Sequence, residues 1–319
     1  MSRHRRELAL VIAIAAIAVV LGAVAPGFFT LNNLRDLVMA NMPVLIVALG
    51  MTLVILTGQI DISVGSVFAI CSVAAGVFAK AGMPTPVAGL AAALVGTAFG
   101  ALNGALVAYV QIPSIVVTLA VMVALRDGLR WATEGAWVQD LPASFQWFGA
   151  SQLVSEGVTM LFAAALSALA AWGLRHLAVG RAVYATGSNE GAARLAGIDP
   201  KRVVFWVLAV TGGLTGCAAL FNSVRFNQIP SNAGVGMEMQ VIAAVIVGGT
   251  SVNGGKGTIA GTLLGVVLLG MIGPALTFLG ISAYWEKAIQ GGIILAAVAI
   301  DAFSARSGRY AGSLAAHRA

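Results

Sequence analysis

Residues 41–79 read NMPVLIVALGMTLVILTGQIDISVGSVFAICSVAAGVFA and carry a single charge, Asp61. The runs 41–57 and 63–79 are each close to the ~20 apolar residues with which a helix crosses about 30 Å of hydrocarbon. Neither shows the period-two alternation of a barrel strand. Lipid offers no partner to a free N–H or C=O, so runs of this kind are expected to be helices. Almost no loop separates them, and what does is a glycine, an amide and a carboxylate.

The rest of the chain repeats the pattern. It is 59% hydrophobic and 9% charged, with mean hydropathy +0.95, against about 25% charged residues in a soluble domain. A water-soluble fold of 319 residues could not be covered with so few charges. The expected fold is all-α, a polytopic membrane helix bundle of about ten transmembrane helices in one domain, 1–319. The spans are read at 8–25, 41–57, 63–79, 86–109, 113–131, 158–174, 203–221, 238–249, 258–279 and 284–300. The eighth is too short for a full crossing and reads as a broken or half-length helix. Arg3, His4, Arg5 and Arg6 before the first run imitate a secretory signal, but the run exceeds the ~7–15 residues of a signal core. It is read as a retained helix.

Basic residues set the orientation. With the N-terminus inside, Arg3, Arg5, Arg6, Arg175, Arg181, Arg194, Lys201, Arg202, Lys256, Arg306, Arg309 and Arg318 are internal, and Arg35, Lys80, Arg126, Arg130, Arg225 and Lys287 external. Twelve against six predicts both termini in the cytoplasm. The pI near 9.8 thus reflects topology rather than nucleic acid. Trp131, Trp137, Trp147 and Trp285 fall near outer boundaries, where amphipathic rings are expected. Cys71 and Cys217 lie inside apolar runs and read as small buried hydrophobes. Gly96, Gly100 and Gly104, and Gly257, Gly261 and Gly265, repeat every fourth residue, which brings backbones close.

Three loops break the hydrophobic pattern. In the first, Leu56 to Gly65, Asp61 and Ser63 are each placed to cap the third span, and an ionisable group near membrane depth is also a candidate for gating. The second, Gly248 to Thr258, imitates a phosphate loop. Its spacing fails, because five residues separate Gly249 from Gly255 and Gly257 follows Lys256 where Ser or Thr belongs. It reads as a connector. The third, 175–202, contains a short surface helix, with Ser188 as N-cap, Glu190 in the first turn, Gly197 as terminator and Pro200 preventing continuation. At about 100° per residue, Ala192, Ala193 and Ala196 share one face and Glu190 and Arg194 the opposite one.

These three loops, in this order, resemble the ribose and branched-chain amino-acid class of ABC importer permeases. The resemblance rests on Gly58-Gln59-Ile60-Asp61-Ile62-Ser63-Val64-Gly65, on Ala192-Ala193 followed by Gly197-Ile198, and on Gly248-Gly249-Thr250-Ser251 followed by Gly254-Gly255. It runs from about Leu31 to Asp301. Thr133 to Trp137 and Tyr184 to Gly187 are similar to the rhamnose and autoinducer-2 members. The resemblance implies one permease of a bacterial inner-membrane sugar importer, with an ABC ATPase subunit, a periplasmic sugar-binding protein and a second permease, identical or different, as partners. It implies inverted repeats in the fold, and a cytoplasmic coupling loop at 175–202 with Ser188, Glu190, Ala192, Ala193, Gly197 and Ile198 at the ATPase contact. Glu190 stands one residue earlier than in the family's common Glu-Ala-Ala pattern, and the later Ile-x-Leu-Pro element is missing. Asp61, Ser63, Asn103, Thr250 and Ser251 are the candidates for gating or the translocation path. No catalytic or metal constellation is read, since His4, His176 and His317 are scattered, and no cofactor is expected. The alternatives are an ion-coupled secondary transporter or a channel.

Overall fold

The computed structural model describes residues 3–282, 284–296 and 299. Its helices are α1 (Arg3–Val24), α2 (Leu31–Leu56), α3 (Val64–Lys80), α4 (Thr85–Ala108), α5 (Ser114–Ala132), α6 (Gln152–His176), α7 (Ala178–Ser188), α8 (Glu190–Leu195), α9 (Pro200–Ser223), α10 (Met237–Val247) and α11 (Ile259–Phe278). Residues 285–296 are also helical. The only β pairing among the described residues is an isolated bridge, Val138 with Ile229. Nine of the ten expected spans are therefore helices, and the tenth is helical over 285–296, with residues 297, 298 and 300 outside those described. Among the described residues six helices, α1, α2, α4, α6, α9 and α11, are long and apolar enough to cross a membrane alone. Helix α3 is apolar but only 17 residues long, and α5 carries Arg126, Asp127 and Arg130.

Two boundaries differ from the sequence reading. Helix α2 starts ten residues before the expected Asn41, running through Pro43. A proline ring removes the donor that would serve the carbonyl four residues earlier, here that of Met39. Arg225 supplies a donor instead, its Nη1 lying 2.9 Å from the Met39 oxygen. Helix α6 starts at Gln152, not 158, with the Ser151 side chain accepting from the Val154 N–H. Its first turns hold Glu156, which pairs with Arg35 of α2. The polar residues at both ends had hidden helix that an ion pair stabilises.

Glycines decide the packing. Helices α4 and α9 run antiparallel, Gly89 opposite Leu220, Gly96 opposite Gly212 and Gly104 opposite Phe205. A Cβ on Gly96 would overlap the Gly212 carbonyl, and one on Gly212 would overlap that of Gly96. Helices α10 and α11 repeat the arrangement, with Gly261 against the Gly248 carbonyl and Gly265 against that of Ala244. In lipid, close van der Waals contact of this kind replaces the hydrophobic driving force between helices. Buried hydroxyls bond back to the carbonyl four residues earlier, as Thr211 does to Val207 and Thr215 to Thr211.

Loops on each side of the bundle join one another. On one side the Gly255 N–H donates to the Leu56 carbonyl at 2.9 Å, Tyr184 Oη to the Gly257 carbonyl at 2.8 Å and Thr258 Oγ1 to Glu7 at 2.9 Å. On the other, Val138 exchanges backbone bonds with Ile229, the Trp147 N–H donates to Val224, and Thr85 Oγ1 donates to the Ser144 carbonyl. A long helix followed by a non-helical connection and a shorter helix occurs twice, as α2 to α3 and as α9 to α10. The two long helices are antiparallel, since Gly50 faces Thr211 and Met39 meets Arg225.

Because the obstacle at Gly212 is backbone, Gly212→Val should separate α4 from α9. The expected loss is at least the ~1–3 kcal/mol of ordinary overpacking, read as a lower thermal midpoint in detergent. Gly157→Ala, where a Cβ meets nothing within 4 Å, should leave the midpoint unchanged or slightly raised.

Candidate functional site

The seven residues between α2 and α3 do not form a surface loop. Thr57, Asp61 and Ser63 are buried, and the strand-like backbone between them is held by α5. The Ile60 N–H donates to Ser114 Oγ at 3.2 Å and the Ile62 N–H to Thr118 Oγ1 at 3.1 Å. Ser114 and Thr118 are one turn apart on a helix, so both hydroxyls point at the same extended segment. They supply what lipid cannot.

Asp61 organises the entry to α3. Its Oδ1 accepts the Ser63 N–H at 2.8 Å and the Ser63 hydroxyl at 2.6 Å. Ser63 Oγ in turn accepts from Asn103 Nδ2 of α4 at 2.8 Å. Asp61, Ser63 and Asn103, read separately in the sequence, are thus one buried chain of hydrogen bonds. The expected Ser63 cap is corrected: Ser63 occupies the N-cap position, but its side chain accepts no helix N–H, because its oxygen accepts from Asn103 while its hydroxyl donates to Asp61. Asn103 Oδ1 has no partner among the described residues.

The first turns of α3 and α10 meet. A Cβ on Gly65 would overlap Glu238 Oε2 and come within 2.6 Å of the Gly234 carbonyl. Helix α10 has eleven residues, about 16 Å of rise, roughly half a hydrocarbon core, as its sequence predicted. Glu238 is 5% exposed and pairs with Arg126 of α5 at 3.3 Å. Two N-terminal helix ends, each with partial positive charge, therefore share a carboxylate inside the bundle. The sequence had placed Glu238 only near a span end. Its signal was a lone acid opening a short apolar run opposite an arginine in another.

The other two motif loops converge on the end of α2. A Cβ on Gly187 would overlap the Leu56 carbonyl, and one on Gly254 would lie 2.8 Å from the Gly58 nitrogen and 2.9 Å from the Gly187 carbonyl. Gly58, Gly254 and Gly255 all have positive φ, 77°, 82° and 70°, a region that favours glycine. Thr250 and Ser251 belong to this connector, not to the Asp61 chain: the Ser251 N–H donates to the Lys256 carbonyl at 2.8 Å, and Thr250 lies buried against Gly257. Beside the junction is a cavity of about 220 Å³ whose walls include Thr57, Gln59, Gln111, Thr186, Glu190 and Lys201.

The 175–202 loop holds two helices where one was expected. Ser188 ends α7, and the N-cap of α8 is Asn189, whose side chain accepts from the Ala192 N–H at 3.0 Å. Pro200 opens α9 instead of merely blocking α8. Gly197 terminates α8 as expected, with φ 78°, and the Ile198 N–H donates to the Ala193 carbonyl at 3.0 Å. The alanine face is divided. Ala193 is buried in the chain's own fold, while Ala192 and Ala196 are exposed and Leu195 is 93% exposed. Glu190 and Arg194 form a surface ion pair.

A family model described as the permease component of branched-chain amino acid transport systems matches residues 33–298. The chain belongs to this permease family. It is 37% identical over 296 residues to the ribose import permease protein of Escherichia coli K12, covering 91% of this chain and 92% of the relative. It is 35% identical over 299 residues to the autoinducer 2 import system permease protein of Salmonella typhi, covering 94% and 86%. No solved structure matches. The chain is a multi-pass membrane transport subunit, and its three motif loops meet at the end of α2.

In Asp61→Asn the carboxamide oxygen still accepts from Ser63, so thermal stability in detergent should stay within about 1 kcal/mol of the parent. Asp61→Leu leaves a buried N–H and O–H without an acceptor and should lose about 1–3 kcal/mol.

Proposed function

We propose that the chain is the transmembrane permease subunit of an ATP-binding-cassette importer that moves a sugar from periplasm to cytoplasm. The relatives' names supply the substrate class: ribose for one, autoinducer 2 for the other. Rhamnose, autoinducer-2 and another monosaccharide all fit that class. The working unit is a single permease domain, 1–319, paired with a second permease, served by a periplasmic sugar-binding protein and driven by a cytoplasmic ATPase.

The observation that carries this reading is the backbone junction of Leu56, Gly187 and Gly254. Helix α8 presents Ala192, Leu195 and Ala196, spaced i, i+3 and i+4 on one exposed face. Leu195 with the two small alanines leaves a continuous apolar face for a partner surface to cover. Motion of α8 passes through Asn189 to the end of α7, where Gly187 rests directly on the Leu56 carbonyl. With no side chain between the two backbones, displacement there reaches the 57–63 segment and Asp61 without being absorbed. Asp61, Ser63 and Asn103 then stand as the gating elements, and Ser188, Glu190, Ala192, Gly197 and Ile198 shape the ATPase contact. Ala193, facing inward, braces α8 from behind.

The excess of basic residues on the side bearing Arg175 to Arg202 supports cytoplasmic termini. A membrane-impermeant thiol reagent added to intact spheroplasts should miss Ser188→Cys and modify Ser144→Cys; the opposite pattern overturns the orientation.

Leu195→Glu should insert and fold as the parent does, because the side chain is exposed. It should lose co-purification with the ATPase and ATP-dependent sugar uptake together, by tenfold or more. Retention of both removes α8 from the contact.

A further inference from the structure

Asp127 is exposed on α5, with no ion pair or hydrogen bond among the described residues. Its depth can be measured against α3. Ser66 Oγ donates to the Met122 carbonyl at 2.8 Å, which sets Met122 level with the first turn of α3. At 1.5 Å per residue the end of α3, Lys80, stands roughly 21 Å above that level and Asp127 only about 8 Å above it. The carboxylate therefore lies some 13 Å short of the end of α3 by the same rise, about level with Cys71 in the buried core of the bundle. A charge held there does not face lipid; it marks a protein-covered or water-filled path.

Its neighbours sharpen the reading. Arg126 turns inward to Glu238 and leaves Asp127 on the outer face alone. Three and four residues on, Arg130 is exposed and Trp131 is 84% exposed, and i, i+3 and i+4 lie on one helix face. Trp131 by itself fits an interfacial aromatic belt. The belt does not explain a carboxylate one turn deeper beside a guanidinium.

We propose that Asp127, Arg130 and Trp131 form a contact site for a neutral polyhydroxyl solute on the outer half of the translocation path. The carboxylate accepts hydroxyl protons, the guanidinium donates to hydroxyl or ring oxygens, and the indole offers an apolar face to the carbon-bound hydrogens of a sugar ring. One anion beside one cation gives no net field, which favours an uncharged ligand over an anionic one. This site rests on the importer reading above and adds to it a solute contact within the permease itself.

The test uses the full chain with both native cysteines replaced, Cys71→Ala and Cys217→Ala, assembled with its ATPase and binding protein in proteoliposomes. Asp127→Cys should react with a charged, membrane-impermeant thiosulfonate, while Leu161→Cys, 72% exposed on α6, should not. Millimolar ribose or rhamnose should slow the Asp127→Cys reaction severalfold. In the otherwise native chain, Asp127→Asn should cut uptake of the transported sugar at least tenfold with a raised half-saturation concentration, and Asp127→Glu should restore part of it. Asp127→Cys as unreactive as Leu161→Cys, labelling that neither sugar slows, or full uptake by Asp127→Asn would each overturn the site. A parent complex that moves no sugar would overturn the importer reading instead, and the labelling arm would still decide whether this face is water-lined and binds sugar.

Discussion

The two hydrogen bonds from Ile60 and Ile62 to the hydroxyls of Ser114 and Thr118 are the constraint on which the architecture depends. A stretch of extended chain inside a membrane bundle is tolerable only if its backbone groups find partners in the protein. Once α5 provides them, α3 begins inside the bundle instead of at its surface, and its first turn meets that of α10. The meeting leaves no room for a side chain at residue 65, draws Glu238 to the helix ends, and brings Arg126 with it. Asp61 becomes a local acceptor that fixes the turn into α3. Each of these features loses its reason if the segment is allowed to become a solvated loop.

A second set of contacts works over longer distances in sequence. Arg225 completes the hydrogen bonding that Pro43 interrupts in α2, and Arg35 joins α2 to Glu156 of α6. In both cases a cation at the same end of the bundle satisfies an acceptor on another helix. Removing one partner from a pair with a buried member leaves an uncompensated charge, which is costlier than never having had the pair. That end is thus stitched by charges and the opposite end by glycine backbone.

Much of this was legible in the chain. Apolar runs located the helices, the shortness of the run from Glu238 announced a half-length helix, and glycines at every fourth position announced close pairs. Three things were not legible, for physical reasons. The starts of α2 and α6 were masked by Arg35, Pro43 and Glu156: Arg35 and Glu156 pair across the chain, and distant Arg225 answers the break at Pro43. Ser188 and Ser63 were plausible caps by residue type, but Asn189 caps α8 instead, and the Ser63 oxygen is taken by Asn103. Helical phase put Ala192 and Ala193 on one face, whereas burial depends on what packs behind a six-residue helix, here the chain's own fold. Of the candidate residues, Asp61, Ser63 and Asn103 proved to be one network and Thr250 with Ser251 part of another, a grouping that spacing could not reveal.

The contact between α4 and α9 has a further consequence. Where two side chains collide, a second mutation can carve out space, but at Gly96 and Gly212 each helix meets the other's carbonyl oxygen, and no substitution elsewhere shortens a peptide group. Evolution has no compensating move for these positions. A side chain at either position is costly whatever surrounds it, so relatives are expected to keep this seam while differing along the walls it supports.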